Sequence, residues 1–229
     1  MNQCEGCDLS NLGNKYRICI PPPSDKIRGC LISRDPTSEF LSKLQDYKQL
    51  SPGQKEKENL WFDAPPLWLC NKIGDFMNFS ENTQGMCNLR QFLDHQCYWT
   101  HLHKCPTCKL GKKQDQNQND IREINEYFPP FRYRTAKACA NRWLKFEFDK
   151  YELKDKIIIT CGRHVEKFLR QWSKQHLIEN DINVINLPHP SDANCGNGWS
   201  WNKNTTQKER ITEEITRLLN LLDAEVEKG

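Results

Sequence analysis

Two ionisable groups and a set of cysteines stand at positions where they can do chemistry. An apolar run beginning at Lys26 ends in Ser33-Arg34-Asp35-Pro36-Thr37, and a helical pattern follows. That is the pattern of a buried strand, a sharp turn and a helix, and it puts the Asp35 carboxylate at the carboxyl end of a strand. Open α/β sheets bind their ligands at such strand ends. A second stretch, Val184 to Ser191, has the same form: an apolar strand running into Pro188-His189-Pro190-Ser191. The two strand ends are expected to face one substrate, with a carboxylate on one side and an imidazole on the other.

The cysteines offer metal chemistry. Cys4-x-x-Cys7 can present two thiolates to one metal from a tight turn, and Cys105-Pro-Thr-Cys108 is a second such pair directly after a strand-like run. Cys139 opens a helical segment. Four thiolates suit either a structural zinc or an iron–sulfur cluster. Twelve cysteines in a chain without a signal peptide point to metal ligation rather than disulfides for some of them. Cys30 and Cys161 lie inside apolar runs and read as plain buried thiols.

The elements that must hold these groups alternate between strand and helix. Strands are expected at 26–33, 97–103, 156–160 and 182–187. Helices are expected at 38–47, 67–77, 86–94, 136–153, 164–173 and 210–226, the last with Ile211, Ile215, Leu218, Leu219 and Leu222 on one side. The run Lys156 to Thr160 is short and continuously apolar, as in a parallel sheet. Strand–helix alternation predicts an α/β fold, a three-layer α/β/α sandwich around a central four-stranded, mostly parallel sheet. Residues 109–134 open with a lysine-, glutamine- and asparagine-rich stretch and read as a mobile insertion. The whole of 1–229 is expected to be one domain, closing with a helix at about 206–226.

Composition sets the outer limits. The chain has 229 residues and a formal charge of +3, too small an excess to identify a partner by itself. No apolar run is long enough to span a bilayer, and the polar N-terminus is no signal peptide. The expectation is a cytoplasmic protein, monomeric and without a membrane partner.

In order and spacing, the motifs resemble the uracil-DNA glycosylase superfamily, in particular its iron–sulfur-containing bacterial and archaeal branch. The resemblance runs from Cys4 to about Trp201. It is carried by Cys4 and Cys7, Ser33 to Thr37, Trp61-Phe62, Thr100 to Cys105, Cys139, Thr160-Cys161-Gly162-Arg163 and Pro188 to Ser191. Beyond these motifs the sequence is divergent.

The resemblance implies a glycosylase that hydrolyses the N-glycosidic bond of a flipped-out deaminated base, with DNA as partner. Asp35 would stabilise the oxocarbenium-like sugar and orient water. Taken alone, it reads as an Asp-Pro turn residue. His189 would hydrogen-bond the departing base. Phe62 would stack on that base, and Ser33, Arg34 and His101 would line its pocket. Pro36, Thr37, Pro190, Ser191 and Arg163 would contact DNA phosphates, which position a protein without reading sequence. Trp199 and Trp201 offer a wedge or stacking surface, or else pack on the final helix. Cys4, Cys7, Cys105 and Cys139 would hold a [4Fe-4S] cluster, with structural zinc as the alternative and Cys108 as the rival fourth ligand.

The chain departs from the family pattern in the first motif and in the base pocket. Ser33 stands where the family has glycine, Arg34 where it has Gln or Glu, and Thr37 where it has tyrosine or glycine. His101 replaces the asparagine that reads uracil's amide edge, and one imidazole nitrogen cannot both donate and accept. Uracil is the expected base, with hypoxanthine, xanthine or another damaged base as alternatives. A non-catalytic, nucleic-acid-binding relative is the other reading.

Overall fold

The structure is a computed structural model of the chain, and it describes residues 26–34, 65–80, 82–104, 133–176, 183–190, 199–202, 204 and 206–226. By compactness the chain divides into two units. Among the described residues the first holds Arg34, 101–104 and 133–146, and the second holds 26–33, 65–100 and 147–226.

Among the described residues, four strands form one sheet: β1 (Gly29–Ser33), β2 (Cys97–His101), β3 (Ile157–Cys161) and β4 (Val184–Leu187), in the order β2-β1-β3-β4. The sheet is parallel; Ile32 lies opposite Thr160, and Cys161 opposite Leu187. Every residue of β1, β2 and β3 is buried. Burial on both faces is what a parallel sheet flanked by helices demands, and it explains the unbroken apolar run at β3. Gly29 begins β1 because nothing larger fits. A Cβ there would stand 2.6 Å from the Ile157 carbonyl and 2.6 Å from the Phe92 ring.

The helices of the second unit follow the expected stripes. Helix α1 (Pro65–Met77) opens on two prolines, which suit a helix start, and buries Leu69, Ile73 and Phe76. Asn78, at φ 54°, ends it, and the Phe79 amide reaches back to the Gly74 carbonyl at 3.0 Å. This is a left-handed cap, which Asn tolerates. Helix α2 (Gln84–Gln91) runs into a π-turn at Phe92–Gln96.

Helix α3 (Tyr133–Cys139) continues through a second π-turn, Ala140–Leu144, into α4 (Lys145–Lys150). The single helix expected at 136–153 is therefore broken in register and stops early. Glu152, at φ 51°, forms the cap, with the Leu153 amide on the Phe148 carbonyl at 3.0 Å. Tyr133 and Arg134, read as the end of the insertion, belong to α3; residues 109–132 lie outside the described residues, as does the helix expected at 38–47.

Helix α5 (Arg163–His176) packs on β3, and helix α6 (Lys208–Val226) packs on β4 and α2. α6 buries Ile211, Ile215, Leu218 and Leu222, and with them Glu214. The Glu214 carboxylate is consumed structurally. It accepts from the Asn186 amide (3.3 Å), from Asn186 Nδ2 (3.4 Å) and from Arg217 (2.9 Å), while Asn186 Oδ1 accepts from Thr160 (2.8 Å). This chain of bonds ties α6 to the polar edge of β3 and β4 and leaves none of these buried groups unpaired.

Candidate active site

The strand order contains one reversal. From β1 the chain moves outward to β2, then returns past β1 to β3 and on to β4. The β1/β3 boundary is therefore the topological switch point, and its crevice lies at the carboxyl ends of the strands. Ser33, Cys161 and Leu187 end those strands level with one another. At the usual strand spacing, the ends of β1 and β4 are about 10 Å apart.

β3 enters α5 through Gly162, whose φ is +93°, a conformation that L side chains rarely adopt. The Gly162 carbonyl accepts from the amides of Val165 and Glu166 at 3.1 Å each, so it starts α5. Its own amide donates to the Leu187 carbonyl at 2.8 Å, pinning the end of β4. A Cβ on Gly162 would lie 3.7 Å from His189 Cβ, so His189 stands directly over this junction. His189 is half-buried between two buried prolines, Pro188 and Pro190. The structure thus brings His189, Pro190 and Arg163 together at one end of the sheet.

Ser33 sits at the end of β1, 1% exposed, and its Oγ accepts a hydrogen bond from Trp99 Nε1 at 3.1 Å. Thr100, at the end of β2, donates to the buried carboxylate of Glu147 at 2.6 Å. Arg34 and His101 belong to the first unit. There the His103 amide donates to the Arg34 carbonyl at 3.0 Å, and His101 is 1% exposed. Asp35, Pro36, Thr37, Phe62 and Ser191 lie outside the described residues.

The two tryptophans after the histidine motif are packing residues. Trp199 is buried with the Arg210 guanidinium 4.6 Å over its ring, and Arg210 also pairs with Glu166 at the start of α5. Trp201 meets the Phe76 ring edge-on and donates from Nε1 to the His189 carbonyl at 3.2 Å. A wedge or stacking surface needs an exposed ring, and neither residue offers one. The other reading of the pair, packing on the final helix, holds for Trp199 through Arg210 of α6, while Trp201 packs on Phe76 of α1.

Among the described thiols, Cys70 is buried in α1 and Cys87 is exposed. Cys30, Cys97 and Cys161 are buried in the strands. Burial, reinforced by the neighbouring Cys30 and Cys161 thiols, holds the Cys97 thiol well above its ordinary pKa, and burial alone does the same for Cys161. Burial of this kind favours the neutral thiol over the thiolate. Cys139 differs, because its Sγ accepts the Lys104 backbone amide at 3.3 Å. An N–H directed at sulfur favours a thiolate and is a usual companion of a ligating cysteine. The residue after Lys104 in the sequence is Cys105, which with Cys4, Cys7 and Cys108 lies outside the described residues. Among the described residues no three metal-ligating side chains cluster.

The family described as the uracil DNA glycosylase superfamily matches residues 52–216, well over half of the chain. The chain belongs to the uracil DNA glycosylase superfamily. The matched span includes Phe62, His101, Cys105, Cys139, Arg163, His189, Pro190 and Ser191, and begins after Ser33–Thr37, Cys4 and Cys7. Membership of this superfamily supports a DNA glycosylase, a hydrolase acting on DNA. Comparison with curated proteins finds no match. Among the described residues no helix is long and apolar enough to cross a membrane.

Proposed function

We propose that the chain hydrolyses the N-glycosidic bond of a deaminated base flipped out of DNA, with uracil as the base. The observation that carries the reading is His189, half-buried after the end of β4 over Gly162, at the carboxyl end of a parallel sheet in a chain of this superfamily. In this reading the leaving base takes up negative charge as the bond breaks. His189 donates a hydrogen bond to that charge in a site held dry by its prolines, where such a bond is worth most. Asp35, two residues past the end of β1, stabilises the positive sugar and orients water. The gap of about 10 Å between those strand ends is one a single nucleoside can bridge. Phe62 stacks on the base and His101 and Arg34 contact its edge. Arg163, Pro36, Thr37, Pro190 and Ser191 hold the backbone. The protein acts as a monofunctional enzyme and a monomer in the cytoplasm.

Cys4, Cys7, Cys105 and Cys139 would hold a [4Fe-4S] cluster; what supports this is the Lys104 amide on Cys139 Sγ, one residue before Cys105. The cluster would brace the DNA-binding face and supply no step of the hydrolysis. Zinc is the alternative for the same thiolates. The variants Asp35→Asn and His189→Ala test the roles: each lowers excision of uracil from mispaired or single-stranded DNA at least a hundredfold. Excision within threefold of wild type in both would remove these residues from the chemistry.

One observation favours a second reading, a relative that binds nucleic acid without cleaving it. The Ser33 hydroxyl is buried and accepts from Trp99, which turns the position that replaces the family's glycine toward packing. That protein would bind DNA with steep salt dependence and leave no abasic sites.

A further inference from the structure

We propose that Trp201 is a positioning residue for His189, which deepens the reading of His189 as the group that stabilises the leaving base and rests on it. The backbone is held at two carbonyls, that of Leu187 two residues before the histidine and that of His189 itself. The Leu187 carbonyl accepts from the Gly162 amide at 2.8 Å, and the His189 carbonyl accepts from Trp201 Nε1 at 3.2 Å. Pro188 and Pro190 fix their own φ angles on either side. The segment 187–190 is therefore held at two carbonyls and two proline rings.

Trp201 can hold its end because the indole is itself seated. It is 7% exposed and meets Phe76, near the end of α1, at a centroid distance of 5.9 Å and an interplanar angle of 81°. Edge-to-face contact fixes the plane of the ring and hence the direction of the N–H. An acid–base or hydrogen-bonding group must be held within about 0.5 Å of its productive place to act at full strength. Trp201 touches the backbone of His189 and not the substrate, so its effect reaches the reaction through the histidine alone.

The test compares the full chain with Trp201→Phe, which keeps an aromatic ring for Phe76 and removes the N–H. The single-turnover excision rate on a uracil-containing oligonucleotide falls about tenfold while DNA affinity stays within about twofold. Adding Trp201→Phe to His189→Ala changes the rate no further, because the effect passes through a side chain already gone. The His189 imidazole cross-peak in a 13C-edited NMR spectrum shifts in Trp201→Phe. An unchanged rate, an equal further loss in the His189→Ala background, or an unmoved cross-peak overturns the proposal. Should Trp201→Phe fail to fold, Phe76→Leu, which loosens the seat and spares the N–H, shows the same pattern in smaller measure, and the absence of that pattern overturns the proposal equally. Wild-type protein that excises no base would refute the glycosylase reading, and the cross-peak would still decide whether Trp201 sets the histidine.

Discussion

Gly162→Ala isolates the backbone strain on which the site is built. Gly162 sits at φ +93°, starts α5 with its carbonyl and holds β4 with its amide. An added Cβ meets His189 Cβ at 3.7 Å, ordinary van der Waals contact, so crowding contributes little. The cost is the dihedral angle, about 1–3 kcal/mol for a residue other than glycine in this region. In a chain of this length that lowers Tm by roughly 2–12 °C. The alternative is for the chain to rotate out of the strain. That breaks the Gly162–Leu187 hydrogen bond, costing about 1 kcal/mol, and displaces His189. Urea unfolding measures the first outcome and the excision rate the second. Gly162→Asn is expected to be milder than Gly162→Ala, because Asn enters positive φ more readily, and Gly162→Val worse. Stability within 0.5 kcal/mol of wild type for Gly162→Ala, taken as about the scatter of neutral surface changes, or Val tolerated as well as Asn, would refute the argument.

Three further outcomes follow from the described contacts. Glu214→Ala removes the acceptor of the Asn186 amide and one of the acceptors of Arg217, leaving a buried amide unpaired; it costs about 2–4 kcal/mol in urea unfolding, and a loss below about 1 kcal/mol would show that water replaces the carboxylate. The Cys97 and Cys161 thiols are held protonated in the fold, whereas in the unfolded chain they ionise above about pH 8.5. Their contribution is therefore whole below that pH and is lost as pH rises, about 1.4 kcal/mol per pH unit per thiol. Under reducing conditions Cys161→Ala shallows the fall in stability between pH 7 and 9.5, and an unchanged slope would contradict the assignment. For the proposed cluster, Cys139→Ser is expected to abolish iron content and visible absorbance in anaerobically purified protein while Cys108→Ser keeps them; the reverse result would exchange the fourth ligand, and colourless, iron-free wild-type protein would refute the cluster.

The strands were legible because a sheet buried on both faces writes itself as an unbroken apolar run, as at Ile157 to Ile159. Helix α1 was legible to its last turn because Asn78 is a residue that caps by entering left-handed φ. Glu152 does the same work at the end of α4 without being that kind of residue, and the expected helix overran to Leu153. The π-turns at 92–96 and 140–144 shift the helical register by one residue and leave no mark in composition. The motif around His189 could be read from its prolines, and Gly162 from its place between an apolar run and a helix.

The strand order β2-β1-β3-β4, which sets the switch point at β1 and β3, could not be read, since sequence order carries no neighbour information. The burial of Trp199 and Trp201 was open in the sequence only as one of two alternatives, packing on the final helix beside a wedge or stacking surface. Their neighbours in sequence are polar, and the groups that cover them, Arg210 and Phe76, stand on helices far away along the chain. Glu214 was hidden in a different way. It occupies the apolar stripe of α6 between Ile211 and Leu218, where a carboxylate looks like an interruption, and only the Asn186 amide opposite gives it a purpose.

The proposed activity is cleavage of a base from DNA at the carboxyl end of this sheet. Incubating the purified protein with oligonucleotides carrying uracil, hypoxanthine or xanthine, single-stranded and mispaired, and treating them with alkali tests it most directly. Strand breaks at uracil are expected, and they are lost in His189→Ala. Intact strands across the whole panel, from protein that still binds the same DNA, would contradict it.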